Sequence, residues 1–103
     1  MTRILIVDDK EMMRDSVATT LSRRSYTVTT ATNGPAAVEK LRQRPYDVII
    51  TDLQMPGMTG IELLDAVREI DEQLPVIVMT AYGTIETAVD AMKRGAFDYI
   101  TKP

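Results

Sequence analysis

Four apolar stretches of the sequence each run into a polar or charged side chain that could do chemistry. The side chains at these ends are Asp8 and Asp9, Asp52, Thr80 and Lys102. If the stretches are parallel strands of one sheet, their carboxyl ends lie at the same edge, where open sheets bind ligands. We therefore expect these side chains to meet in one site.

The chemistry expected of such a site is phosphoryl transfer beside a magnesium ion. Three carboxylates repel one another unless a cation lies between them. Oxygen ligands without histidine or cysteine favour a hard cation, Mg²⁺ before Ca²⁺. Lys102 supplies a positive charge for a phosphate oxygen, and Thr80 supplies a hydroxyl donor. A carboxylate can also act as a nucleophile and form an acyl phosphate. Asp52 is the best candidate, because it stands alone between the acidic pair and the Thr80 side.

Ordinary structural roles remain open for each of these residues. They are a helix cap for Asp8, Asp9 or Thr80, a turn for Asp52, solvated surface for Lys102 and packing for Tyr99. Their coincidence at one edge of the predicted sheet favours a functional site.

The elements that must position these residues alternate between short apolar runs and longer amphipathic ones, which predicts an α/β fold with a parallel sheet. Nearly continuous apolar runs are typical of strands buried on both faces. They cover Ile4–Val7, Asp47–Ile50 and Val76–Met79, with an alternating edge strand at Tyr26–Ala31 and a fifth strand at Phe97–Thr101.

Four helices are predicted between the strands. In the first, Met13, Val17 and Leu21 lie on one face. The second begins at Asn33-Gly34-Pro35, and the third is capped at Thr59-Gly60. The apolar face of the fourth consists of Ile85, Ala88, Val89 and Met92. Gly95 suits the left-handed end of the fourth helix.

The composition excludes several classes of function. A length of 103 residues predicts one domain, and 12 basic against 15 acidic residues give a net charge of −3. That charge argues against binding a nucleic acid or an anionic membrane. The absence of cysteine and histidine removes disulfides, thiolate metal sites and Ser-His-Asp catalysis. No stretch reads as a signal peptide or a membrane span, so a cytoplasmic location is expected.

At these residues the chain resembles a response-regulator receiver domain. The matching segments are "ILIVDD", "DVIITDLQMPGMTGIELL", "PVIVMTAYG" and "AFDYITKP". The resemblance implies a flavodoxin-like, doubly wound sheet of five strands in the order 2-1-3-4-5. The segment "MTAYGTIETAVDAMKRGAFDYITKP" further resembles receivers of the nitrogen-regulatory type, which precede an AAA+ ATPase acting on sigma-54 polymerase.

The resemblance also implies roles for the site residues. Asp52 would accept a phosphoryl group from a phosphohistidine of a sensor kinase. Mg²⁺ would be held by Asp9 directly, by Asp8 through water, by Asp52 and by the backbone carbonyl of Gln54. Lys102 would pair with the phosphoryl oxygens, and Lys102–Pro103 would be a cis peptide.

The implied output is a conformational switch. Thr80 would move to hydrogen-bond the phosphoryl group, and Tyr99 would follow it inward and reshape the face of the fourth helix and fifth strand. The expected partners are a sensor histidine kinase, an effector domain in the full-length chain and a second copy in a homodimer. No nucleic-acid or membrane contact by this domain is expected.

The chain departs from the family pattern at its end. It stops at Thr101-Lys102-Pro103, where receiver domains usually continue into a fifth helix. We therefore expect residues 1–103 to be a receiver truncated at its C-terminus, with apolar sheet surface uncovered beside the first helix.

Three other functions are weighed against the switch. A magnesium-dependent phosphatase of the haloacid-dehalogenase type needs a second acid two residues after its nucleophile, where this chain has Gln54. A pseudo-receiver would lack part of the acceptor set, which is intact here. A flavin or nucleotide carrier would need a glycine-rich loop after the first strand, which is absent.

Overall fold

The computed structural model describes residues 1–81 and 83–101 and confirms the predicted alternation of strands and helices. In chain order the elements are β1 (Arg3–Val7), α1 (Glu11–Ser22), β2 (Thr27–Ala31), α2 (Gly34–Gln43), β3 (Val48–Asp52), α3 (Gly60–Ile70), β4 (Val76–Thr80), α4 (Ile85–Lys93) and β5 (Asp98–Thr101). No helix of the described part is long and apolar enough to cross a bilayer.

The strands form one parallel sheet in the order β2-β1-β3-β4-β5, as expected. The chain steps from β1 outward to β2 and then back across to β3, so the strand order reverses between β1 and β3. Because such crossovers are right-handed, α1 lies on one face of the sheet and α2, α3 and α4 lie on the other. The reversal point is where doubly wound sheets bind their ligands.

The hydrophobic core lies mainly between the sheet and the two helices α2 and α3 that pack on one of its faces. Its largest fully buried apolar side chains are Leu5, Val7, Ile49, Leu63, Leu64, Val67, Val76 and Val78. Burial of one such side chain contributes about 1.5–3 kcal/mol, so this layer fixes the strand ends at which the site is built.

Three of the four described helices begin with a side-chain cap. Asn33 caps α2, and the capping boxes of Thr59 with Glu62 and of Thr84 with Thr87 start α3 and α4. The helix start predicted at Asn33-Gly34-Pro35 and the cap predicted at Thr59 are therefore confirmed.

The helix caps considered for the acidic pair and for Thr80 are wrong. The N-cap of α1 is Lys10, whose side chain makes no capping hydrogen bond, and the N-cap of α4 is Thr84. Asp8, Asp9 and Thr80 therefore lie before the helices, at the ends of their strands.

Much of the apolar surface on α4 is exposed. Ala91 is the helix's one buried residue, whereas Ile85, Val89 and Met92 are exposed, as is Phe97 in the turn that follows. The helix ends as predicted, with Gly95 at a positive φ of 96°. Within the described residues no helix follows β5, and Ile100 of that strand is also exposed.

Candidate functional site

The three predicted acidic residues lie together at the reversal point of the sheet. Asp8 and Asp9 directly follow β1, and Asp52 is the last residue of the neighbouring strand β3. One carboxylate oxygen from each lies within 4.8 Å of the others. Asp8 and Asp52 are buried, whereas Asp9 is exposed. The fold therefore places these three carboxylates close together, as predicted.

The backbone of Asp52 is fixed on two sides. The Thr51 hydroxyl donates to the carbonyl oxygen of Asp52 over 2.9 Å. On the other side the first residue of α3 is Gly60, and a Cβ at that position would overlap the same carbonyl oxygen. The backbone N–H of Gly60 donates to the carbonyl of Leu53 over 2.7 Å. The close approach of α3 therefore requires glycine and holds Asp52 in place.

Lys10 belongs to the site although the sequence analysis did not single it out. Its Nζ lies 3.5 Å from Oδ2 of Asp52 and 3.7 Å from Oδ1 of Asp9. Its backbone N–H donates to Oδ1 of Asp8 over 2.9 Å. The negative charge of Asp52, above all, raises the pKa of Lys10, so the ammonium stays charged at neutral pH. The feature of the sequence that could have indicated this role is a basic residue directly after the acidic pair.

A second basic side chain ties α1 to the loop that carries the acids. Arg14, in the first turn of α1, donates from Nη1 to the backbone carbonyl of Asp8 over 3.0 Å. This hydrogen bond holds the backbone of the acidic loop and leaves the Asp8 carboxylate directed to other partners.

Thr80 and Tyr99 lie on neighbouring strands beside the same glycine. Thr80 is buried at the end of β4, and Tyr99 is half-buried on β5. A Cβ built on Gly83 would lie 2.8 Å from the Tyr99 hydroxyl and 3.1 Å from Cγ2 of Thr80. The tyrosine hydroxyl is 2.7 Å from the Oγ1 of Thr87 in α4. The predicted switch residues are thus adjacent, and Tyr99 is linked to α4.

The remaining predicted residues follow the strand ends. Gln54 is exposed in the loop directly after β3, so its backbone carbonyl lies two residues beyond the Asp52 carboxylate. Lys102 and the Lys102–Pro103 peptide bond lie outside the described residues. Thr101, which precedes Lys102, pairs with Thr80 across the sheet.

The donor set fits a hard divalent cation. Three carboxylates supply oxygen ligands at one point, with Lys10 as the compensating charge that contacts two of them. Mg²⁺ is bound by such oxygens together with water and phosphate. The Asp52 carboxylate, fixed by its backbone contacts at this point, is also placed to act as a nucleophile on a phosphoryl group.

Comparison with known proteins assigns the chain to a family. The family model described as "Response regulator receiver domain" matches residues 4–103. The chain is 39% identical over 101 residues to the response regulator protein PilR of Pseudomonas aeruginosa, a match covering 98% of the chain and 23% of PilR. It is also 39% identical over 100 residues to the DNA-binding transcriptional regulator NtrC of Escherichia coli K12, covering 97% of the chain and 21% of NtrC.

The predicted likeness to nitrogen-regulatory receivers is confirmed by the match to NtrC. The chain spans between a fifth and a quarter of the length of these curated relatives.

Solved structures confirm the fold. The chemotaxis protein CheY4 of Vibrio cholerae superposes with a TM-score of 0.96 at 35% identity, covering 100% of this chain and 88% of that chain. The response regulator TrrA of Thermotoga maritima, in complex with Mg²⁺ and BeF, gives 0.90 at 32% identity, with 100% and 88% covered.

A third similar structure is a dimer. The beryllofluoride-activated NtrC4 receiver domain gives a TM-score of 0.94 at 35% identity, covering 100% of this chain and 85% of that chain. With the sheet order, the acid cluster and the family match all in agreement, this chain belongs to the response regulator receiver domain family.

Proposed function

We propose that Asp52 is the phosphoacceptor of a signalling switch and takes its phosphoryl group from a phosphohistidine of a sensor histidine kinase. The observation that supports this is the buried Asp52 carboxylate within 4.8 Å of Asp8 and Asp9 at the reversal point of the sheet. A carboxylate oxygen of Asp52 attacks phosphorus, the phosphorus–nitrogen bond breaks, and the imidazole nitrogen keeps the electron pair.

The acid cluster is proposed to hold Mg²⁺ during this transfer. Asp9 and Asp52 would bind the ion directly, Asp8 through water, and Gln54 through its backbone carbonyl. When bound, the ion offsets the repulsion between these carboxylates and the incoming phosphoryl oxygens. TrrA, which has the same fold, was solved with Mg²⁺ and BeF.

The switch is proposed to run through Thr80 and Tyr99. The Thr80 hydroxyl donates to a phosphoryl oxygen on Asp52, and Lys102 pairs with the same group. Tyr99 then turns inward beside Gly83 and gives up its hydrogen bond to Thr87, which alters the face formed by α4 and β5. A new negative charge at Asp52 thus shifts a two-state element. The adjacency of Thr80, Gly83 and Tyr99 supports this route.

The proposed output is regulation of an effector domain. Control of transcription is inferred from relatives such as NtrC, a DNA-binding transcriptional regulator. In this proposal the receiver itself touches neither nucleic acid nor membrane, acts in the cytoplasm, and pairs with a second copy when activated. It is a signalling domain and does not turn over a separate substrate. Residues 1–103 would be the receiver part of a longer regulator.

Incubation with Mg²⁺ and acetyl phosphate, read by intact mass, tests the proposal. The wild-type chain should gain one phosphoryl group only when magnesium is present. Asp52→Asn should gain none, because the amide is not a nucleophile of this kind. Asp15→Asn, which changes an exposed acid on α1, should behave as wild type.

Two results would contradict the proposal. One is phosphorylation of Asp52→Asn to the wild-type level, which would place the acceptor elsewhere. The other is no mass increase on a wild-type chain that circular dichroism shows to be folded, which would favour a pseudo-receiver. Steady release of product from a generic phosphate ester would instead support the phosphatase alternative.

A further inference from the structure

Lys10 occupies a position at which the local preferences of a helix disfavour lysine. It is the N-cap of α1, yet its side chain makes no capping hydrogen bond. Asn33, Thr59 and Thr84 fill the same position in the other described helices and bond the first turn. A positive charge at a helix N-terminus also opposes the macrodipole. Residues that break local rules in this way are concentrated at functional sites.

The contacts of Lys10 show what offsets this cost. Its ammonium lies 3.5 Å from a carboxylate oxygen of Asp52 and 3.7 Å from one of Asp9. Asp52 is buried, so its charge is screened by solvent less than that of a surface acid. The Lys10 side chain itself is 60% exposed. It therefore reaches into the cluster from solvent and has room to swing out again.

We infer that Lys10 is a tethered counter-ion of the acid cluster that must leave when Mg²⁺ binds, and that it thereby sets the magnesium concentration at which the domain becomes competent. This inference rests on the proposed function, because it concerns the ion used there. The ammonium contacts Asp9 and Asp52, the two carboxylates proposed as direct ligands. A divalent cation on those oxygens would face the ammonium at close range, and the two like charges repel.

The direct test is a magnesium titration followed through the backbone amide NMR signals of residues 8–10 and 52–54. Lys10→Met keeps the length of the stem and removes the charge, so the Kd for Mg²⁺ should fall about threefold to tenfold, the range expected for one or two partly exposed ion pairs. Lys93→Met changes the net charge equally from an exposed site on α4 and should leave the Kd near the wild-type value. Lys10→Arg should resemble wild type. The difference between wild type and Lys10→Met should shrink at high ionic strength.

Thermal unfolding provides a second readout that a purely structural role would not reproduce. Without metal, Lys10→Met should melt below wild type, because the carboxylates lose their counter-ion. At saturating Mg²⁺ it should melt at or above wild type, because the ion no longer displaces an ammonium.

An equal Kd in Lys10→Met and wild type, or a melting difference that magnesium neither removes nor reverses, would overturn the inference. So would the absence of magnesium binding in every variant. The first two results are distinguishable from failure of the proposed function, which the phosphorylation of Asp52 decides separately. The third would also contradict the magnesium site proposed there.

Discussion

At the scale of single residues, the site combines one buried acceptor with neighbours that have separate tasks. The Asp52 carboxylate lies within reach of two further carboxylates, while its backbone is held by Thr51 and by the start of α3. Thr80 is buried on the adjacent strand. In the proposed switch, Asp52 is phosphorylated and Thr80 then hydrogen-bonds to the phosphoryl group. Phosphorylation and the conformational change should therefore be separable by mutation.

Thr80→Val should separate them. Valine has nearly the shape of threonine but no hydroxyl, so Asp52 should still be phosphorylated. A hydrogen bond to a charged group contributes about 1.5–3 kcal/mol, so the switched population of the phosphorylated chain should fall about tenfold or more. The measurement is the change in the amide NMR signals of Tyr99 and α4 on phosphorylation.

Thr51→Val is the matched control for this variant. Thr51 is also a fully buried threonine of the sheet, but its hydroxyl donates to the backbone of Asp52. It should lose some stability and keep the switch. If Thr80→Val switched as fully as wild type, the hydroxyl of Thr80 would have no part in reading the phosphoryl group.

At the scale of secondary-structure elements, the first residue of α3 fixes how closely that helix approaches the acceptor strand. Gly60 lies against the carbonyl of Asp52, where a Cβ would overlap backbone atoms that cannot easily move. The same position in α2 is Gly34, but there a Cβ would meet the side chain of Met58. The Sδ and Cγ atoms of Met58 can move by a change of rotamer. Its Cβ, 2.9 Å from the added atom, requires only a small shift of the loop.

Gly60→Ala should therefore destabilise the domain more than Gly34→Ala. The expected loss for Gly60→Ala is roughly 1–3 kcal/mol, the usual cost of overpacking, together with displacement of the Asp52 backbone and slower phosphorylation. Urea unfolding measures the first effect, and the time course of the intact mass measures the second. Equal losses in the two variants would show that the contact with Asp52 does not constrain α3.

The sequence predicted most of this arrangement because its signals are local. Continuous apolar runs marked the buried strands, and Asn33 and Thr59 marked two helix starts. The end of β3 was less well defined. The apolar run ends at Ile50, and the strand continues through Thr51 into Asp52, whose register partner is Met79 on β4. Pairing with the neighbouring strand β4 extends β3 beyond its apolar run, and such pairing cannot be seen in one segment of sequence.

Two features depend on tertiary structure and could not be predicted from local pattern. In the sequence, Lys10 looks like an ordinary surface lysine. Its contact with Asp52 arises only because β1 pairs with β3 in the folded sheet. The apolar positions of α4 indicated one face of a helix, but periodicity does not state what covers that face. In the structure Ile85 and Val89 are exposed.

At the scale of the whole molecule, the exposed apolar surface is concentrated on α4 and the turn after it. Ile85 is 84% exposed and Phe97 is 69% exposed, with Val89 and Met92 between them. Apolar patches of this kind are typical of association sites. The similar NtrC4 receiver was solved as a dimer in its beryllofluoride-activated form.

We expect the chain to self-associate through this surface. Val89→Lys together with Met92→Lys should raise the dissociation constant at least about tenfold, because each buried apolar side chain contributes about 1.5–3 kcal/mol. Met12→Lys is the control, since Met12 is 87% exposed on α1. Sedimentation velocity at several concentrations gives the constants. Unchanged association of the double variant would assign the contact to another face.

The most direct test of the switch is an amide NMR comparison of the chain in saturating Mg²⁺ with and without beryllofluoride, in wild type and in Asp52→Asn. We expect large changes at residues 8–10 and 52–54, extending through Thr80 to Thr87 and Tyr99, and none of these in Asp52→Asn. Changes that stop at the acid cluster would contradict the switch, since a charge bound at Asp52 would then leave the face of α4 and β5 as it was.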